Sequence, residues 1–328
     1  MAATADLSAV GNTPLIELEG PSSPTVYGKV EWFNQAGMPH GGGSIKSRIG
    51  KSMLLAAEAG PEPLADRTLL EASSGNTGAA VARFGAARGY DVEIVLPDDA
   101  GGGKVAAMEA AGAELVRIDA DLGYDAYVEA CRSRTGGHPD RYCYLDQYEN
   151  PANPGVHAGT TGPEIWAQTD GAVDHFVAGA GTAGTLVGVG TALRDRGVDV
   201  HGYEPATDEH DIAGCKHMHT AGHYVPGTYD PAVVETMTFL GTETAHDATR
   251  RLRRRYDDRR IRIEDPGQWS RSFVREELRV DGEFRVGPSS GGALALVERL
   301  SDRGVFESDD VVVIPLADRG DRYPERYL

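Results

Sequence analysis

The chain has 328 residues, of which 50 are acidic and 32 basic, leaving a net charge of −18. So acidic a surface repels phosphate backbones and anionic lipid, which argues against nucleic acid or a membrane as partner. Only five of the basic residues are lysine (Lys29, Lys46, Lys51, Lys104, Lys216). A lysine-poor, acidic surface fits a salt-rich cytosol, where screening removes most of its self-repulsion.

The length suggests about two domains with a cleft between them. No apolar run approaches the roughly 18 residues of a membrane span. The opening MAATADLSAVGNTPL lacks the basic-then-apolar pattern of a signal segment, so a cytoplasmic protein is expected. Cys131, Cys143 and Cys215 are odd in number and form no CxxC, so neither a disulfide framework nor a thiolate zinc set is expected.

In chain order, the first distinctive stretch is HGGGSIKSRIG, His40 to Gly50. A phosphate-binding P-loop needs glycine directly before its lysine, and Ile45 intervenes. A lysine kept where arginine serves every ordinary charge points to work arginine cannot do, namely losing its proton and attacking a carbonyl as a Schiff-base lysine. Next, TLLEA (68–72) reads as a buried strand, AAVARFGAARG (79–89) as helix and VEIVLP (92–97) as strand; KVAAMEAAG then reads as helix and AELVRI as strand. That is a βαβαβ unit of parallel strands. Between its first strand and helix lies EASSGNTG, where Ser73, Ser74, Asn76 and Thr77 sit beside the N–H groups of a helix start. Such a loop suits a carboxylate, although an ordinary helix cap reads the same way.

A second α/β unit follows 146–163: DHFVAGA as strand, TLVGVGTALRDRG as helix and VDVHGYEP as strand. Its turn, GAGTAGT, satisfies GxGxxG with Gly179, Gly181 and Gly184, and Glu204 lies 20 residues beyond Gly184, so a dinucleotide-binding oxidoreductase is a rival reading. Thr182 and Thr185 inside the turn suit a terminal monophosphate at least as well. Residues 253–282 are the least regular, and their charge density predicts exposed, solvated structure. Finally, VGPSSGGALALVERL brings Ser289 and Ser290 into a helix, and VVVIPLA reads as a fully buried strand.

A nucleophilic lysine, a carboxylate loop, a monophosphate loop and a serine-bearing helix start together describe a site for pyridoxal phosphate and an amino acid. At GNTPLIELE (11–19), GSIKSR (43–48), EASSGNTG (71–78), LDQYENPANPGVHAGTTGPEIW (145–166), GAGTAGT (179–185), VGPSSGGA (286–293) and DRGDRY (318–323) the chain resembles the cysteine synthases of the tryptophan-synthase-β type, fold type II of the pyridoxal-phosphate enzymes. YVPGTYDPAVV (224–234) and DRGDRY resemble the cysteine synthase B branch more than the A branch.

The resemblance implies an α/β fold of two open, twisted, mainly parallel sheets flanked by helices. The cofactor cleft would lie between a smaller mobile domain (40–148) and a larger one (1–39 and 149–328). It implies that Lys46 holds the cofactor, Asn76 bonds its 3′-oxygen, Gly181, Thr182, Ala183, Gly184 and Thr185 surround its phosphate, and Ser289 faces its ring nitrogen. Ala183 stands where glycine or threonine is usual. Ser73, Ser74, Gly75, Thr77 and Gln147 match positions that grip the substrate carboxylate, Ser73 replacing a more usual threonine.

The implied activity is β-replacement of O-acetyl-L-serine or O-phospho-L-serine by a sulfur nucleophile through an aminoacrylate, in a homodimer. Another β-replacement or elimination on serine-type substrates, such as a cystathionine-forming reaction, is the alternative. Lys216 and His217 fall where the B branch carries two arginines, which puts use of thiosulfate in doubt. The histidine-rich stretch 210–225 has no standard zinc spacing, and no metal is expected there. Residues Tyr256 to Arg275 read as an insertion that solvates the surface, contacts a second subunit or covers the cleft mouth, with Asp265 to Trp269 the part expected to dock.

Overall fold

A computed structural model of the chain describes residues 7–18, 24–35, 43–64, 66–220, 223–254, 257–280 and 283–323. The boundary expected at residues 39 and 40, the first glycines before Lys46, Tyr256, and residues 221 and 222 of the histidine-rich stretch lie outside these.

The elements run β1 (Leu15–Glu17), β2 (Thr25–Val30), α1 (Ile45–Glu58), β3 (Thr68–Ala72), α2 (Asn76–Arg88), β4 (Val92–Pro97), α3 (Gly102–Ala110), β5 (Glu114–Ile118), α4 (Tyr124–Gly137), β6 (Tyr142–Tyr144), α5 (Ala152–Val156), α6 (Gly162–Gln168), β7 (His175–Gly179), α7 (Gly184–Leu193), β8 (Asp199–Pro205), β9 (Thr236–Leu240), α8 (Thr242–Leu252), β10 (Asp257–Arg262), α9 (Arg271–Glu277), the hairpin β11–β12 (Arg279–Val280 and Glu283–Phe284), α10 (Pro288–Asp302) and β13 (Val311–Leu316). No helix among the described residues is long and apolar enough to cross a membrane.

Two sheets organise the molecule. The four-stranded sheet runs β5-β4-β3-β6, all parallel. The seven-stranded sheet runs β10-β1-β2-β13-β7-β8-β9, parallel from β2 to β9 and antiparallel at its β10–β1–β2 edge. Each sheet is apolar on both faces, as parallel strands between helix layers must be, so there are four apolar clusters, two per sheet. The expected mixed architecture of mainly parallel sheets is thus present, and the glycine-bounded strands read from the sequence are its parallel strands.

In each sheet the chain reverses its order beside one strand. From β3 it winds out through β4 to β5 and returns to β6 on the other side; from β7 it winds out to β8 and β9, with β13 on the other side. Crevices at such switch points, outside the carboxyl ends of the strands, are where open α/β sheets bind ligands. The loops 73–76 and 180–184 leave the carboxyl ends of β3 and β7.

Residues 257–277 are not merely solvated surface. Asp257–Arg262 adds an antiparallel edge strand beside β1, with Ile261 buried and Arg260 and Arg262 reaching Glu17 (3.0 Å) and Asp170 (3.0 Å). Trp269 is buried edge-on to Phe33 (5.3 Å) and stacked on Phe273 (5.4 Å), and its Nε1–H donates to Asn12 O (3.1 Å). The docking expected for Asp265 to Trp269 is carried by this one indole.

Beneath α1 lies a buried network of four charges. Arg48 donates to both oxygens of Glu31 (2.8 and 3.0 Å) and both of Glu164 (2.7 and 2.7 Å). Lys29 Nζ reaches Glu164 Oε2 (2.7 Å), Gln168 Oε1 (2.7 Å) and Thr13 O (2.6 Å). Three acceptors around one nitrogen require three N–H donors, so Lys29 is an ammonium. Burial alone would push Glu164 up; Lys29 and Arg48 outweigh it and hold the carboxyl well below the usual carboxylate range. A carboxyl whose folded value is depressed contributes stability above its unfolded pKa and loses it as pH falls.

In urea unfolding at neutral pH, Glu164→Gln is therefore expected to cost about 3–5 kcal/mol, the usual penalty for breaking a buried ion pair. The difference from the unsubstituted protein should narrow as pH falls below about 4, and a gap that is constant with pH would show the carboxylate is not responsible.

Candidate active site

Lys46 is the second residue of α1, and a reciprocal cap fixes that helix start. Ser44 Oγ accepts from the Lys46 N–H (3.1 Å), and Ser47 Oγ accepts from the Ser44 N–H (3.2 Å). The Ile45 N–H donates to Ala317 O (2.9 Å), which seats the helix on the residue that follows β13. Lys46 then lines a cavity together with Asn76, Gly181 to Thr185, Cys215, Ser289 and Asp318. Burial pulls the Lys46 amine below its ordinary value, with Cys215 and Asp318 acting in the opposite direction.

The loop 181–185 is braced from behind. Asn153 Nδ2 donates to Thr182 Oγ1 (2.9 Å) and Gln147 O (2.7 Å), and Thr228 Oγ1 donates to Thr182 O (2.5 Å). His157 links Thr161 (2.8 Å) and Thr185 (3.3 Å), and burial keeps its imidazole neutral. Ala183 adopts φ +61°, a left-handed conformation that glycine takes without strain and alanine does not. A Cβ on Gly181 would lie 2.2 Å from Gly214 O, and one on Gly184 would lie 2.0 Å from Asn153 Oδ1. Neither position admits a side chain.

This cavity shares Lys46, Asn76, Gly181 and Thr182 with a wider cleft of about 1030 Å³ that reaches across to Ser73, Ser74, Gly75, Thr77 and Gln147. The structure thus brings all the expected site residues to one connected hollow. Two of them are engaged as braces. Ser73 Oγ accepts from the N–H groups of Gly75 (3.2 Å) and Gly78 (3.0 Å). Gln147 Oε1 accepts from Thr77 (2.8 Å), and its Nε2 donates to Glu71 (3.1 Å) and Ala72 O (3.0 Å).

Asp318 is the site residue that the motif reading passed over. It is buried, it accepts from Asn76 Nδ2 (2.6 Å) and Tyr323 OH, and its Oδ1 has no hydrogen-bond partner among the described residues. Its signal was its place in DRGDRY, directly after the last buried strand. Cys215 is a second such residue, packed against the cavity with Sγ 3.5 Å from Tyr203 OH.

Glu204 does not line this hollow. It is fully buried and accepts from the N–H groups of Met218 (3.0 Å) and His219 (3.2 Å) and meets His219 Nδ1 (3.1 Å), so it anchors the segment after β8 rather than a ribose. That segment crosses to the other side of the cleft: Lys216 Nζ bonds Asp125 (2.9 Å) at the start of α4, and Arg132 donates to Tyr224 OH (2.9 Å). His217 is held by Pro205 O (2.8 Å) and Thr220 (2.6 Å), and His223 meets Asp208 (3.2 Å).

The profile described as pyridoxal-phosphate dependent enzyme matches residues 7–318. Cysteine synthase B of Pseudomonas aeruginosa is 36% identical over 320 residues, covering 96% of this chain and 93% of that protein. Cysteine synthase of Aquifex aeolicus is 34% identical over 97% of this chain and 89% of that protein. The crystal structure of cysteine synthase from Entamoeba histolytica superposes with a TM-score of 0.78 at 26% identity, over 97% of this chain and 88% of that one. With the family match spanning residues 7–318 and the first two of these relatives covering nearly the whole chain at 34–36% identity, this protein belongs to the cysteine synthases of the fold type II pyridoxal-phosphate-dependent enzymes.

Proposed function

We propose that the chain makes L-cysteine from O-acetyl-L-serine and sulfide by β-replacement, with Lys46 as its catalytic residue. The observation that carries this reading is the Lys46 amine, lowered by burial and facing the Gly181–Thr185 loop, Asn76 and Ser289 across one cavity.

The cavity's donor set fits pyridoxal phosphate. An amine of lowered pKa is available to join its aldehyde, and the helix start at 181–185 offers N–H groups for its phosphate. When bound, pyridoxal phosphate supplies an electron sink for the pair left behind as the Cα–H bond breaks. The chain's own groups do the rest. Lys46 Nζ takes the proton from Cα and returns it after sulfur has added. The 74–77 turn, at the positive end of the α2 dipole, holds the substrate carboxylate, while Ser73 and Gln147 keep that turn in shape. Ser289 offers a neutral hydroxyl to the ring nitrogen, which, unlike a carboxylate, does not hold a proton there. The smaller unit, residues 40–148, closes on the carboxylate and excludes water.

The choice of substrates follows from charge at the cleft. Asp121, Asp125, Asp208 and Asp211 line it, and Lys216 is paired with Asp125. Such a mouth disfavours doubly negative donors, which points to acetate over phosphate as the leaving group and sulfide over thiosulfate as the nucleophile. The acidic, lysine-poor surface supports a salt-rich cytoplasm as the setting, and the resemblance supports a homodimer.

Three outcomes test this. Added O-acetyl-L-serine should change the visible absorption of the pyridoxal-phosphate-loaded protein, and sulfide should restore it with release of cysteine; Lys46→Ala should lower turnover by at least about 10²–10⁴-fold, the range of a lost acid–base group. In competition assays thiosulfate should serve at least about tenfold less efficiently than sulfide, and equal use would overturn the charge argument. Gly181→Ala should weaken pyridoxal-phosphate binding by at least about tenfold, since its methyl must displace the Gly214 backbone.

A further inference from the structure

At the opposite end of the large sheet from Lys46, the amino ends of three neighbouring parallel strands bring a second set of chemical groups together. His175 opens β7, Asp199 opens β8 and is its partner in the ladder, His201 lies two residues further on the same face of β8, and Asp310 directly precedes β13. Both imidazoles are buried, whereas the Asp199 side chain is 58% exposed. One ligand atom from each of His175, Asp199 and His201 lies within 4.8 Å of the others.

The hydrogen bonds fix which nitrogens face one another. His175 Nε2 meets Asp310 Oδ2 at 3.0 Å, and a carboxylate only accepts, so Nε2 carries hydrogen and Nδ1 is the nitrogen whose lone pair is left to ligate. His201 Nε2 lies 3.2 Å from that lone pair, and His201 Nδ1 meets Thr236 Oγ1 at 2.9 Å. A hydroxyl can donate or accept, so Thr236 supports either tautomer of His201. Burial, with His175 adding to it, pushes the His201 imidazole down to about 4, so the ring is neutral at physiological pH.

We propose that His175 Nδ1, His201 Nε2 and Asp199 form a binding site for a Zn²⁺-class divalent ion, separate from the cofactor cleft. The nitrogen spacing has the bite such an ion needs: bonds of about 2.0–2.1 Å at tetrahedral angles set ligand atoms about 3.3 Å apart. Asp199 Oδ2 stands 4.0 Å from His175 Nδ1 and is on a side chain exposed enough to turn inward. Binding exchanges the His201 tautomer, its Nδ1–H then donating to Thr236, with no net loss of a proton. Asp310 and Thr236 are the outer partners that hold each ring in its ligating orientation. Phe306 packs on both rings (centroids 4.7 and 5.9 Å), and the exposed Asp199 side chain lies on a side open to the ion and its remaining water ligands. Two imidazoles select a late transition ion over Mg²⁺ or Ca²⁺, which prefer all-oxygen sets. The ion would clamp β7 to β8 and, through Asp310, to β13.

The test is calorimetric titration of ZnCl₂ into the chelator-stripped, pyridoxal-phosphate-loaded protein, with thermal unfolding alongside. One ion per chain, a melting temperature raised by Zn²⁺ and unmoved by Mg²⁺, and at least about tenfold weaker binding in both Asp199→Ala and His201→Gln are the expected results. Asp199 is exposed, so its variant folds even where the buried-histidine variant does not. His223→Gln, in the histidine-rich stretch after β8, should bind as the unsubstituted protein does. Absence of saturable Zn²⁺ binding, or binding unchanged in Asp199→Ala, overturns the site and leaves a hydrogen-bonded histidine pair.

Discussion

The buried network of Lys29, Glu31, Arg48 and Glu164 is the constraint on which the site depends. It joins β2, the turn after it, α1 and α6, and it takes in Thr13 and Asn12 of the N-terminal segment through Thr13 Oγ1 to Glu31 (2.8 Å) and the Asn12 N–H to Glu164 (2.9 Å). Two positive and two negative side chains cancel, which is the only way four charges stay buried at tolerable cost. Hydrophobic packing could hold these elements together but would let α1 slide by a fraction of a turn. Directional bonds from one guanidinium to two carboxylates do not, and Lys46 lies two residues away on the same helix turn. The position of Lys46 is thus held by charges that do not line the cavity.

That network also answers why a chain so poor in lysine keeps the few it has. Lys29 needs a compact head with three donors spread tetrahedrally, which a planar guanidinium cannot present to Thr13, Gln168 and Glu164 at once. The Lys46 amine is drawn below its ordinary value by burial, a shift toward neutrality that a guanidinium does not make. Lys216 and Lys104 line the cleft, one bonded to Asp125 and the other 4.1 Å from the centre of the Tyr323 ring. Four of the five lysines thus sit in the buried network or along the cleft.

Much of this was legible in the sequence, for identifiable reasons. Parallel strands such as VEIVLP and VVVIPLA are apolar on both faces, so they read as unbroken runs, and the ligand loops read as glycine and hydroxyl clusters because strand-to-helix turns at a binding site need both. The edge strand β10 was hidden by its charge. One face of an edge strand is wet, and here Arg260 and Arg262 pair with Glu17 and Asp170 while Ile261 between them turns inward. Asp318, the four-charge network and the pair His175 and His201 were invisible for a different reason. Their members are scattered along the chain, and only sheet register or helix packing makes them neighbours. Ser73 and Gln147 were legible as site residues, but not that their polar atoms brace the loops.

Cys215 carries a consequence for an enzyme whose cleft handles reduced sulfur. Thiols beside such chemistry invite exchange with the disulfide form of the product and persulfides from oxidised sulfide. Burial pushes the Cys215 thiol up to about 11, despite its bond to Tyr203 and the nearby Lys46. At pH 7 that leaves roughly one part in ten thousand as thiolate, the form that enters exchange. Cys131 and Cys143 are raised by burial as well. The protein thus works with nucleophilic sulfur while keeping its own sulfur out of the reaction, a chemical quietness secured by desolvation rather than by omitting cysteine.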